Sequence, residues 1–118
     1  MNFEIVYYQD NSRKRPVENF LIELKRVNSP LAKLAFKGLE KIRNRAYHKE
    51  PLSKYLEQGL WELRIKAGSD ILRIIYTFQK RQIIILLHVF IKKQQKTPER
   101  ELEIARKRLK EIKTNRES

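Results

Sequence analysis

The chain has no cysteine. Disulfides and cysteine-ligated zinc are therefore excluded, and the redox compartment leaves no trace in the sequence. Histidine is scarce as well. His48 and His88 stand alone, without the spacing of a ligand pair, so no metal site is expected and no cofactor is implied. Long apolar runs are missing: the longest, residues 83–91, is too short to span a bilayer as a helix. The N-terminal MNFEIVYYQD lacks a basic segment followed by an apolar core, so it does not read as a secretory signal. A soluble, cytoplasmic protein without a membrane partner is expected. Acidic residues are few, with 14 Asp and Glu against 27 Lys and Arg and a formal net charge of +13. That imbalance suits a polyanion such as nucleic acid, an anionic membrane surface or an acidic protein. A chain of 118 residues can bury one modest core, which predicts a single domain over 1–118.

What is present centres on residues 59–93, GLWELRIKAGSDILRIIYTFQKRQIIILLHVFIKK. Three apolar runs of strand length, 60–66, 71–78 and 83–91, are separated by short turns, which favours an antiparallel meander. Successive side chains of a strand point to opposite faces. Trp61, Leu63 and Ile65 oppose Glu62, Arg64 and Lys66. Leu72, Ile74, Tyr76 and Phe78 oppose Ile71, Arg73, Ile75 and Thr77. In the third run Ile85, Leu87, Val89 and Ile91 oppose Leu86, His88, Phe90 and Lys92. One face is continuously apolar. The other carries Arg64, Lys66, Arg73, His88 and Lys92 among Ile71, Ile75 and Leu86, and reads as partly covered, partly open and cationic.

Before this core, Phe3, Ile5 and Tyr7 alternate with Glu4, Val6 and Tyr8 as an N-terminal strand. A helix starts near Pro16, with Val17, Phe20, Leu21, Leu24 and Val27 at helical spacing. Ser29 as N-cap and Pro30 begin a second helix with the stripe Leu31, Leu34, Ala35, Gly38, Leu39 and Ile42. Gly38 inside that stripe predicts a close helix–helix approach. Residues 44–58 read as a loop. Thr97 as N-cap and Pro98 open a C-terminal helix with the stripe Leu102, Ala105, Leu109 and Ile112, frayed from 113 to 118. The expected fold is α+β: a four-stranded antiparallel or mixed sheet, a helix hairpin on one face, and a C-terminal helix.

This order resembles the RelE/ParE toxin superfamily. The segments Gly59-Leu60-Trp61-Glu62-Leu63-Arg64, Arg73-Ile74-Ile75-Tyr76, Leu86-Leu87-His88-Val89-Phe90-Ile91-Lys92-Lys93 and Lys96-Thr97-Pro98 resemble the HigB branch of phage-derived, RelE-like toxins. The helix start Pro16-Val17-Glu18-Asn19-Phe20-Leu21 is similar too. The resemblance implies a type II toxin: a metal-independent, ribosome-dependent mRNA endonuclease that inhibits translation. It also implies neutralisation by a HigA-like helix-turn-helix antitoxin in a toxin–antitoxin hetero-oligomer. Arg64, Arg73 and Lys93 fall where such toxins carry phosphate-contacting or catalytic basic residues, and Lys54 does so more loosely.

Guanidinium matches phosphate oxygens with a rigid fork of donors but is a poor base, so Arg64 and Arg73 read as electrostatic stabilisers. Alternatively they are solvated strand arginines. His88 is a candidate acid or base or, equally, a half-buried sheet histidine. Strand parity favours Lys92 and the motif favours Lys93. Lys54, Lys66, Lys92 and Lys96 are read as RNA-binding, with His88 and Lys93 joining the arginines as catalytic candidates. Trp61 and Tyr76 read as core. The competing function is a non-catalytic nucleic-acid-binding protein, or a ParE-like gyrase poison on the same fold.

Overall fold

Period-two alternation becomes the centre of a five-stranded mixed sheet in the order β1-β5-β4-β3-β2. The strands are β1 (Glu4–Tyr7), β2 (Ser53–Glu57), β3 (Leu60–Ala67), β4 (Asp70–Gln79) and β5 (Ile83–Lys92). The helices are α1 (Pro16–Val27), α2 (Ser29–Ile42) and α3 (Glu99–Glu117). This computed structural model describes residues 2–117, with side chains for 2–114. β2 to β5 pair antiparallel in sequence, and β1 joins parallel to β5. The class and meander are as expected, but there is one strand more. β2 lies in the segment read as a loop. It is a short edge strand, and its alternation is broken by a bulge between Tyr55 and Glu57. Neighbours specify it rather than propensity: Tyr55 pairs with Trp61, and the buried Ser53 accepts from the Tyr76 hydroxyl at 2.9 Å.

The helix hairpin covers one sheet face. Leu21, Leu24, Ala35 and Leu39 pack with Leu63, Leu72, Ile74 and Leu86 in the larger core. Tyr76 is fully buried there, as expected. A Cβ at Gly38 would lie 2.6 Å from Ile65 Cδ1, so this glycine seats α2 on β3, not on another helix. Helix α2 is capped one residue early, by the Asn28 side chain accepting from the Leu31 amide at 3.3 Å. Val27 and Leu34, at the margins of their stripes, are 60% and 45% exposed.

The second face is covered more than expected. Helix α3 lays Leu102, Ala105, Leu109 and Ile112 over Leu60, Ile75, Leu87 and Phe90 in a second core. Simple parity fails along β5 because of a bulge opposite Ile75 and Tyr76: Ile75 pairs with His88, but Tyr76 pairs with Leu86. Leu87 and His88 therefore share the α3 side. Ile84 and Leu86 turn to the hairpin instead, beside Val89, and Ile85 and Leu87 to α3, beside Phe90. Helix α3 continues to Glu117, where fraying was expected from 113; Ser118 and the side chains of 115–118 lie outside the described residues.

Candidate functional site

Arg64 and Arg73 are direct cross-strand neighbours on the α3 side of the sheet. Phe90 flanks Arg73 on β5. Between β5 and α3 the chain must turn back over this face, and the turn crosses the two arginines. Arg73 is fully buried, not open to solvent as strand parity suggested. Its Nη1 donates to the Lys96 carbonyl at 3.3 Å, and its Nη2 to the carbonyls of Gln95, at 3.1 Å, and Gln94. The guanidinium lies over the Phe90 ring, 5.9 Å from its centroid. Its Nε is buried without a hydrogen-bond partner among the described residues. Burial pushes its pKa down from the ordinary arginine value, and Arg64 adds to this while Glu62 opposes it. Arg73 is a peg that ties residues 94–96 to the sheet.

Arg64 keeps a solvent-facing side, with 18% of its side chain exposed. Its Nε donates to Glu62 Oε1 at 2.6 Å, and its Nη2 to the Gln95 carbonyl at 3.1 Å. Glu62 is fully buried, and its Oε2 accepts from the Thr97 hydroxyl at 2.7 Å. Thr97, expected as an N-cap, thus turns its hydroxyl to this carboxylate. The pair orients the guanidinium fork from below, as a carboxylate that accepts two short bonds can. Glu62 and Thr97 were absent from the sequence-based site. The one sequence signal for Glu62 was parity, since it alone placed a carboxylate on a cationic face, and Thr97 was read only as an N-cap.

Arg64 and Gln95 form the ridge between two grooves. One, of about 460 Å³, is lined by Lys54, Tyr55, Arg64, Gln95 and Lys96. The other, of about 750 Å³, is lined by Lys41, Tyr47, Glu50, Arg64 and Lys66. The structure thus gathers Arg64, Lys54, Lys96 and Lys66, with Arg73 beneath them. Lys92 lies beyond Ile71 from Lys66 in the same cross-strand row. Lys92 and Lys93 are exposed at the strand end. Ammonium ends on flexible stems around one fixed guanidinium are an arrangement whose charge and donors complement phosphate oxygens.

His88 is held apart, under α3. Its Nε2 lies 2.7 Å from Glu101 Oε1, its Nδ1 lies 3.4 Å from Arg108 Nη1, and its ring stacks on Phe90. Those partners suit the neutral ring with its proton on Nε2. Burial lowers its pKa from 6.5, partly offset by the hydrogen bond to Glu101 and reinforced by Arg108. His48 does not pair with it. Among the described residues no three His, Cys, Asp or Glu side chains gather as metal ligands. Among those residues, too, no helix is long and apolar enough to cross a membrane.

Residues 23–110 match the family described as Phage derived protein Gp49-like (DUF891), a match that covers both grooves and most of the chain. No curated protein matches the sequence. The chain belongs to this Gp49-like phage-derived family, and through it to the RelE/ParE-like toxin–antitoxin superfamily.

Proposed function

We propose that this protein is the toxin of a type II toxin–antitoxin pair, acting in the cytoplasm as a ribosome-dependent mRNA endonuclease of the HigB kind. The observation that carries the reading is the cationic groove at Arg64, whose fork is fixed by Glu62 and the Gln95 carbonyl and flanked by Lys54 and Lys96. RNA cleavage by attack of the 2′-oxygen on the adjacent phosphorus forms a cyclic phosphate and breaks the bond to the 5′-oxygen. A base takes the 2′-proton, cations meet the charge that builds on the phosphate, and an acid protonates the departing oxygen. Arg64 takes the second task, since its donors are fixed before the charge develops. Lys54, Lys66 and Lys96 hold the RNA backbone, with Lys92 extending the track. Lys93 stands as the proton-transfer candidate. Buried Arg73 serves by positioning residues 94–96, and His88 by holding α3. A HigA-like helix-turn-helix antitoxin neutralises the protein in a hetero-oligomer by covering or distorting the groove.

The test is primer-extension mapping of an mRNA on translating ribosomes with purified protein. Defined breaks with the wild type, lost in Arg64→Lys, support the reading. Intact mRNA with arrested gyrase would favour the gyrase poison, and RNA binding without breaks the binding protein.

A further inference from the structure

An aromatic chain crosses the opposite sheet face, away from Arg64. The Tyr55 and Trp61 rings meet at 5.4 Å and Trp61 and Phe78 at 5.7 Å. Phe78 then meets His48 at 4.9 Å, and His48 meets Phe3 at 4.9 Å. His48 is pinned by a 2.6 Å contact from Nε2 to the Ile42 carbonyl. These rings are not sealed by the helix hairpin. Trp61, Phe78 and His48 are each half-buried, and with Phe3 they line a groove of about 420 Å³. Gln79, Gln82 and Arg45 line it too. The Arg45 guanidinium lies 5.8 Å from the Phe3 centroid.

We propose that this groove is a stacking platform for the bases of single-stranded RNA, continuous over the β2 edge with the cationic groove of Arg64. The inference rests on the endonuclease reading and says where bases flanking the bound phosphate go. Aromatic rings offer stacking to any base, amide side chains can meet a base edge, and a rim guanidinium can meet a phosphate. The continuity is carried by Tyr55. It is 53% exposed, lines the Arg64 groove, and sets its ring against Trp61. Its neighbour Lys54 pairs with Glu62 on the other face, so one edge strand presents a cation to the Arg64 groove and sets a ring against Trp61, which lines the other. The net charge of +13 favours a polyanionic strand over a basic or neutral protein segment as the occupant.

Trp61 is the only tryptophan and reports on the groove directly. A short single-stranded oligoadenylate, labelled for anisotropy, is titrated into the full chain while Trp61 emission is followed. The emission is expected to fall and to saturate together with the anisotropy. Tyr55→Ala is expected to weaken binding roughly 5- to 100-fold, the range of one lost base stack, in a protein that still melts cooperatively, and Arg45→Ala, at an exposed position, to weaken it with unchanged melting. Binding with constant Trp61 emission, by a protein that still cuts mRNA, overturns the platform and leaves the endonuclease reading standing. Neither binding nor cleavage overturns both. Emission that responds to the co-purified antitoxin but not to RNA makes the groove a protein interface and overturns the proposal.

Discussion

Arg73 and Arg64 face each other across two strands and do different work. Arg73 has no exposed surface and holds three backbone carbonyls. Its replacement by alanine leaves those acceptors without donors and opens a cavity beside Phe90. Arg73→Ala is therefore expected to lose about 2–4 kcal/mol in urea unfolding, and Arg73→Lys to recover only part of it. A variant within about 0.5 kcal/mol of wild type would show that the peg is not needed. His88 gives a pH signature. Burial holds its folded pKa below 6.5, so the unfolded chain takes up a proton first as pH falls. Its contribution is complete above that ordinary value and is lost as pH falls toward the depressed folded one. The melting temperature of wild type relative to His88→Gln should therefore drop as the pH is lowered from about 8 to about 5. A difference constant with pH would contradict this. At this scale the sequence showed which side chains share a face in β3 and β4, but not their exposure. The fate of Arg73 depends on where residues 94–96 lie, and no strand pattern specifies that.

The elements were legible where one period ran unbroken. The three runs of the meander, both hairpin helices and the α3 stripe all emerged from spacing alone. Legibility failed at the bulges. The one in β5 exchanges the faces of residues 84–87, and the one in β2 hides an edge strand whose stability comes from Ser53, Tyr55 and their partners. The bidentate contact of Arg106 with Glu57 joins α3 to that strand across 49 positions of sequence, a pairing no local window could reveal. Gly38 was singled out correctly for close approach but assigned the wrong neighbour. With Ile65 Cδ1 only 2.6 Å from a Cβ placed there and Leu63 Cδ1 at 3.6 Å, Gly38→Leu must push these side chains out of place or lift α2 from β3. A loss of about 1–3 kcal/mol is expected from this overpacking, despite leucine's better helix propensity. Thermal melts would decide it, and a stabilised variant would mean that α2 moves freely on the sheet.

Across the whole molecule, cationic and apolar surfaces divide the labour. The hairpin side supplies the larger core, and the α3 side supplies a second core with the Arg64 grooves at its margin. With a net charge of +13, association with RNA or ribosomes should weaken steeply between low and high salt, as each phosphate contact releases counterions. Salt dependence alone does not locate the site, because basic side chains lie on several elements. Charge reversal at the groove does. Lys54 and Lys96 are exposed and flank Arg64, so Lys54→Glu with Lys96→Glu removes the attraction without touching either core. The reference is a double reversal at Lys33 and Lys37, exposed on α2. The decisive measurement is the rate of mRNA cleavage on translating ribosomes for these two folded variants beside wild type. The groove account predicts a loss of at least about 100-fold for the first pair and a rate near wild type for the second. Equal rates for both variants would contradict it.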